Sequence, residues 1–162
     1  MFIVRAHAFM HAYLLLGLGI VIGGGLMEIF LAAPLFNESE REFNEKVAED
    51  LREGGFDVWM AQEAPFIKEG SHEEKKKIYE KDVFALKGSD VVVAVLDGVE
   101  VDSGVAFEMG FANALGKPII GLKTDYRTFS HMEEVNLMLE VSMRNICETV
   151  DEVMSTLKSG LV

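Results

Sequence analysis

The feature that most constrains the fold is an unbroken apolar run at residues 91–96, Val-Val-Val-Ala-Val-Leu. A run with no polar alternation predicts a strand that is buried on both faces. Buried strands of this kind are typical of parallel sheets that helices cover on both sides. The segment that follows the run is predicted to turn into a helix at residues 103–115, so a strand feeds directly into a helix.

Strand and helix patterns alternate along the chain from residue 28 onward. The predicted strands are 29–33, 56–60, 90–96, 119–122 and a short fifth strand at 145–147, and the predicted helices are about 37–53, 71–87, 103–115 and most of 133–157. This alternation predicts an α/β fold with a doubly wound, parallel, five-stranded sheet. We expect a flavodoxin-like (Rossmann-like) three-layer sandwich with the first, third and fourth strands at its centre.

Length and charge limit the classes of function. The 162 residues are enough for one domain with a substantial core, and the net charge of −12 disfavours nucleic-acid backbones and anionic membrane surfaces as partners. The single cysteine, Cys147, excludes an internal disulfide and fits a reducing compartment, so we expect a cytoplasmic protein.

The N-terminal tract, residues 1–27, is almost entirely apolar and is set apart from the predicted domain at 28–162. It is long enough to span a bilayer and would then be a membrane anchor. It also fits translated sequence upstream of the true start, because Met27 immediately precedes the first strand, whereas the lone Arg5 makes a poor signal peptide. His7 and His11 lie four residues apart in this tract, but that spacing alone predicts no metal site.

Two carboxylates flank the start of the helix at 103–115. Asp102 and Glu108 follow a buried strand and lie where open α/β sheets bind ligands, at the carboxyl edge. Asp102 also fits an ordinary helix N-cap. Glu108 is flanked by Phe107 and Met109, which indicates a buried helix and favours a functional role for its carboxylate over a solvated one.

Several pieces of the sequence occur in a fixed order along the chain: Ile-Phe-Leu-Ala-Ala-Pro-Leu-Phe at 29–36, Gln62, Asp82, Ser-Asp-Val-Val-Val-Ala at 89–94, and Asp-Ser-Gly-Val-Ala-Phe-Glu-Met-Gly-Phe-Ala at 102–112. Together they resemble the nucleoside 2-deoxyribosyltransferase family. The resemblance covers residues 28 to about 139. Each piece is weak alone, but the ordered set with its spacings is fairly specific.

The resemblance implies transfer of 2-deoxyribose between nucleobases by double displacement, with a 2′-deoxynucleoside and a free nucleobase as substrates. By position, Glu108 would be the nucleophile that forms a glycosyl ester, and Asp102 would bind the sugar hydroxyls. Asp82 would handle the proton on the nucleobase, and Gln62 would help to hold that base. Asn136 matches an asparagine that the family contributes across a subunit interface, which implies a homodimer or a higher homo-oligomer.

Elementary chemistry favours the same roles. Breaking an N-glycosidic bond builds positive charge on the sugar, which a carboxylate beneath C1′ stabilises or captures, and the leaving base needs a proton from an acid of raised pKa. This chemistry requires neither a metal nor a redox cofactor. Gly104 is predicted to let the backbone approach the ligand closely.

Phe30 departs from the family pattern. The family often has tyrosine in the first strand, near the nucleophile, and a phenyl ring cannot hydrogen-bond to a carboxylate. Either Tyr79 or Tyr126 substitutes for that tyrosine, or Glu108 is held differently.

Two alternatives remain at this stage. The first is a 2′-deoxynucleoside 5′-monophosphate N-glycosidase, a related hydrolase; Asp102 argues against it, because a carboxylate beside the 5′ oxygen repels a phosphate dianion. The second is a non-catalytic module that senses nucleosides or nucleotides, tethered by the N-terminal tract. Fold alone does not separate these functions.

Overall fold

The computed structural model describes residues 25–64 and 69–160. The strands are β1 (Glu28–Ala32), β2 (Asp57–Met60), β3 (Val91–Val95), β4 (Ile119–Leu122) and β5 (Asn145–Cys147). The helices are α1 (Glu38–Glu53), α2 (His72–Gly88), α3 (Ser103–Ala114), α4 (Leu137–Glu140) and α5 (Val150–Lys158). A 3-10 turn, Ala61–Glu63, follows β2.

The five strands form one parallel sheet in the order β2-β1-β3-β4-β5. The predicted fold class is therefore confirmed, including the central positions of β1, β3 and β4. The chain leaves β1 for β2 on one side and then returns to β3 on the other side of β1. The carboxyl ends of β1 and β3 therefore form a topological switch point, where folds of this type bind ligands.

Two apolar cores lie on opposite faces of the sheet. Side chains of α1 and α5 cover one face, together with alternate strand residues such as Ile29 and Val93. Side chains of α2 and α3 cover the other face, together with the intervening residues such as Phe30 and Val92. β3 is completely buried, as its unbroken apolar run predicts, because each face of the strand meets a helical layer.

Polar caps fix where the helices begin. Asn37 caps α1 in a reciprocal arrangement in which its side chain accepts from the Glu40 N–H and the Glu40 carboxylate accepts from the Asn37 N–H. Asp102 caps α3. The capping side chain of α1 is therefore Asn37.

The segment after β4 contains less helix than predicted. The short strand β5 is confirmed, but only the single turn α4 and the helix α5 form within residues 133–157. The side chain of Ser130 accepts hydrogen bonds from the backbone N–H groups of Met132 and Glu133. Such local bonds compete with a helix and stabilise turns instead.

The first 24 residues of the predicted N-terminal tract lie outside the described residues. Among the residues that the structure describes, no helix is long and apolar enough to cross a membrane.

Candidate active site

The loop of residues 96–102 connects β3 to α3 at the carboxyl edge of the sheet, beside the switch point. Asp102 ends this loop, and its Oδ1 accepts hydrogen bonds from the N–H groups of Gly104 (2.8 Å) and Val105 (3.2 Å). These bonds satisfy two of the free donors of the first helical turn. Asp102 is therefore a helix cap, and the cap holds its carboxylate at the ligand-binding edge.

Glu108 lies on the flank of α3, between the sheet and α2. Val105, Met109 and Ala112 form the buried face of this helix and pack on the sheet. Glu108 is offset from that face by one residue of helical rotation and is mostly shielded from solvent. α2 packs against α3, and Asp82 on α2 is close enough to Glu108 for the two charges to interact.

Asp82 lies on α2, and its carboxyl is close enough to Glu108 for its charge to act on that residue. It is half-buried, and its Oδ1 atom is buried without a hydrogen-bond partner among the described residues. Burial raises the pKa of the Asp82 carboxyl, and the neighbouring Lys81 partly opposes that effect. An unpartnered carboxyl oxygen at such a position is costly for a purely structural residue and suits a group that binds a ligand or a proton.

The three carboxyl groups act on one another. Burial and then the negative charges of Asp82 and Asp102 together raise the pKa of Glu108 from an ordinary 4.5 to about 8. Glu108 therefore carries a proton in most molecules at neutral pH. A carboxyl of strongly raised pKa beside two other carboxyls is typical of acid–base sites in clefts.

The structure brings Glu108, Asp82 and Asp102 together, but it does not bring Gln62 to them in a free state. Gln62 lies in the 3-10 turn after β2. Its Oε1 accepts from Asn44 Nδ2 (2.9 Å), and its Nε2 donates to the Arg41 carbonyl (2.9 Å), so its amide is held against α1. Its role in holding a base stays a prediction.

Asn136 is exposed at the N-terminus of α4, where it caps that turn. Large apolar side chains surround it: Leu137, Met138 and Val141 are 51%, 73% and 82% exposed. Among the described residues, the side chain of Asn136 hydrogen-bonds to the Met138 N–H that it caps. An exposed polar side chain among apolar neighbours is the arrangement that a contribution in trans requires.

Phe30 is completely buried and stacks on Trp59, with ring centroids 4.8 Å apart. It forms the floor of the sheet face that α2 and α3 cover. Of the two possible substitutes for the family's tyrosine, Tyr126 is fully exposed, whereas the ring of Tyr79 packs 6.2 Å from the ring of Phe107, the neighbour of Glu108. Tyr79 therefore contacts the residue next to Glu108 in α3.

Sequence reasoning missed an ionic cluster at the end of β4. Lys123 is completely buried and pairs with Asp125, which also binds Arg127. The loop residue Asp97 accepts hydrogen bonds from Thr124. The segment 123–127 lies at a predicted strand end, but nothing in a single sequence indicates that its lysine is buried.

A surface depression of about 360 Å³ lies between α1 and the loops that follow β1, β3 and β4 at the carboxyl edge of the sheet. Pro34, Phe43, Asp97 and Arg127 are among the residues that line it, and none of the three carboxyls does. Within residues 25–64 and 69–160, no group of histidine, cysteine or carboxylate side chains is arranged to hold a metal ion.

The chain is similar to known proteins in both sequence and structure. The model of a family described as nucleoside 2-deoxyribosyltransferase matches residues 29–147. Among solved structures, a conserved protein from Enterococcus faecalis superposes with a TM-score of 0.73 and 25% identity, covering 83% of this chain and 99% of that chain. A 2-deoxyribosyltransferase from Bacillus psychrosaccharolyticus superposes with a TM-score of 0.72 and 26% identity, covering 83% and 95%.

A CMP N-glycosidase from Clostridium botulinum is more distant, with a TM-score of 0.53 and 23% identity over 81% of this chain and 98% of that chain. A search of curated proteins found no significant match.

Proposed function

Because the chain belongs to the nucleoside 2-deoxyribosyltransferase family, we propose that it transfers 2-deoxyribose from one nucleobase to another, a step of nucleoside salvage. The observation that carries the proposal is the cluster of Glu108, Asp82 and Asp102, three carboxyl groups from α2 and α3 that act on one another. A carboxylate for the sugar carbon and an acid for the leaving base are the two groups that this reaction needs.

Glu108 is the proposed nucleophile. One of its oxygens attacks C1′ of the 2′-deoxynucleoside as the bond from C1′ to the base nitrogen breaks, which leaves a glycosyl ester. In the second half, a nitrogen of the acceptor base attacks C1′, and the ester bond breaks to restore the carboxylate. Two displacements at the same carbon retain its configuration.

The proton balance follows from the raised pKa values. In the free protein Glu108 is protonated at neutral pH, and it must lose that proton before it attacks. Asp82 lies close to Glu108 and also has a raised pKa, so it can receive the proton and deliver it to the leaving base. The acceptor base returns a proton to Asp82 when it attacks C1′.

Asp102 is proposed to bind the sugar hydroxyls with the carboxylate oxygen that does not cap α3. Gly104 supports this arrangement, because a Cβ atom at that position would come within 3.0 Å of Asp102 Oδ1. A carboxylate at the hydroxyl end of the sugar favours nucleosides over nucleotides. Phe30 and Gln62 complete the proposed pocket as its floor and as a base contact.

We also propose that the active enzyme is a homodimer or a larger homo-oligomer. Asn136 would then reach the site of a neighbouring subunit, and the exposed apolar side chains of Leu137, Met138 and Val141 would be covered in that interface. Size-exclusion chromatography with light scattering tests this, and a monomer at micromolar concentration would argue against it.

The alternative is hydrolysis of the N-glycosidic bond, in which water replaces the acceptor base. The likeness to the CMP N-glycosidase shows the fold alone. The discriminating assay incubates the protein with deoxyinosine and adenine. Formation of deoxyadenosine supports transfer, whereas hypoxanthine and free deoxyribose without deoxyadenosine would identify a hydrolase.

The same assay with Glu108→Ala separates catalysis from mere binding of nucleosides. We expect the variant to lose essentially all turnover. Glu42→Ala is the matched control, because Glu42 is exposed on α1, which covers the opposite face of the sheet from α2 and α3. Turnover that persists in Glu108→Ala would exclude Glu108 as the nucleophile.

A further inference from the structure

Two loops at the carboxyl edge of the sheet hold each other through a pair of aspartates. Asp97, in the loop after β3, accepts hydrogen bonds from Thr124 N–H (2.6 Å), Thr124 Oγ1 (2.6 Å) and Asp125 N–H (3.2 Å). Asp125, in the loop after β4, accepts one from Gly98 N–H (2.9 Å). Each aspartate therefore binds the backbone of the other loop, and we call Asp97 and Asp125 the aspartate latch.

A buried lysine fixes one half of the aspartate latch. The side chain of Lys123 is 1% exposed, and its ammonium group pairs with Asp125 Oδ1, while Arg127 binds Oδ2 from the solvent side. A buried ammonium is costly unless it is paired, so the carboxylate of Asp125 cannot leave it without a large loss of free energy. The ion pair therefore holds the Asp125 carboxylate in one place.

The backbone of the latched loop is equally constrained. Gly98 has φ of +126°, a conformation that other residues rarely adopt, and a Cβ atom there would lie 3.0 Å from the Glu100 carbonyl oxygen. Only a few residues separate Gly98 from Asp102. The hydrogen bond from Gly98 to Asp125 therefore sets the direction in which the loop approaches the N-terminus of α3.

We propose that Asp97 and Asp125 are positioning residues for Asp102, and that the aspartate latch determines where the deoxyribose sits relative to Glu108. This inference rests on the proposed function. The aspartates act through the loop backbone, since both of their carboxylates are occupied by the neighbouring loop or by Lys123 and Arg127. Loss of the latch lets Asp102 shift, and the sugar then loses its alignment with the nucleophile.

The test is a double-mutant cycle between Asp125→Asn and Asp102→Asn, read as kcat/KM for base exchange with deoxyinosine and adenine. We expect Asp125→Asn to lower kcat/KM by roughly 10- to 100-fold in the wild-type background, because a displacement of about 1 Å can cost that much. In the Asp102→Asn background we expect less than about a 3-fold further loss, because residues that act through one group are not additive. Thr124→Val, which removes one donor to Asp97 and no charge, gives the same pattern at smaller amplitude if Asp125→Asn folds poorly.

Asp90→Asn is the matched control. Asp90 also binds the backbone of another segment, through Glu28 N–H (2.8 Å), but at the opposite edge of the sheet. We expect it to leave kcat/KM unchanged in both backgrounds.

A second readout does not depend on turnover. Hydrogen exchange at the amides of Gly104 and Val105, which bind Asp102, should accelerate in Asp125→Asn and stay unchanged in Asp90→Asn. Wild-type protein that neither exchanges bases nor cleaves the nucleoside would refute the proposed function and the positioning role with it. Wild-type turnover combined with fully multiplicative losses in the cycle, or with unchanged exchange at these amides, would refute the positioning role alone.

Discussion

The raised pKa of Glu108 makes a prediction that needs no substrate. Replacing Glu108 with glutamine removes the ionisable group but keeps a side chain of nearly the same shape as the protonated carboxyl. In the unfolded chain glutamate ionises near its ordinary pKa of 4.5, whereas in the folded protein the pKa of Glu108 is about 8. The wild-type protein must therefore lose more stability than Glu108→Gln as the pH rises through this window.

The sign and the size both follow from linkage. A group whose folded-state pKa is raised stabilises the protein fully below its unfolded pKa, and that contribution is lost as the pH rises through the folded pKa. For Glu108 the difference between 4.5 and about 8 corresponds to at most about 5 kcal/mol of unfolding free energy. Water that reaches Glu108 reduces this value. We therefore expect the wild-type protein to lose about 2 to 5 kcal/mol of unfolding free energy between pH 4 and pH 9 relative to Glu108→Gln.

The assay is urea denaturation at several pH values for both proteins, with Glu42→Gln as the control for loss of a glutamate on an exposed surface. The difference between wild type and Glu108→Gln cancels the titrating groups that do not interact with Glu108, and it retains the coupling of Glu108 to Asp82 and Asp102. Unfolding free energies that follow parallel curves for both proteins between pH 4 and pH 9 would refute the proposed carboxyl cluster.

Three further predictions concern the loops and the layer around the site. Burial alone would raise the pKa of Asp125, but hydrogen bonds from Lys123, Arg127 and Gly98 outweigh it and lower that pKa. Urea denaturation should therefore show that Asp125→Asn is less stable than wild type at pH 7. That difference should disappear as the pH falls below the ordinary value of 3.8. Gly98→Ala should lower the unfolding free energy by roughly 1 to 3 kcal/mol in thermal denaturation, because its φ of +126° strains any residue with a side chain; an unchanged midpoint would contradict that backbone conformation. Leu86→Ala should cost roughly 2 to 5 kcal/mol, because Leu86 is the buried anchor of α2, and a loss below about 1 kcal/mol would mean that α2 is not packed on the sheet.

The sheet could be predicted from the sequence because burial leaves a simple pattern. The run at residues 91–96 has no polar member, and a strand with helices on both faces is the environment that such a run requires. The caps could be predicted for a similar reason, since Asn37 and Asp102 satisfy donors that lie within a few residues of them. Local chemistry of this kind is visible in one sequence.

Features that depend on long-range contacts could not be predicted. Asp97 has the appearance of an ordinary loop residue, and its bonds to Thr124 exist only because β3 and β4 are neighbours in the sheet. Lys123 has the appearance of a surface residue for the same reason. The resemblance implies that Gln62 contacts the nucleobase, and only the packing of α1 reveals that Asn44 engages its amide.

Formation of a glycosyl ester on Glu108 is tested most directly by measuring the mass of the protein during turnover. The protein is mixed with deoxyinosine in the absence of an acceptor base, quenched in acid within the first turnovers, digested and analysed by peptide mass spectrometry. We predict that the α3 peptide gains the mass of one deoxyribosyl group at Glu108 and that the added group disappears when adenine is supplied before the quench. Turnover of deoxyinosine with no adduct on any peptide, or with an adduct on a different residue, would contradict the account.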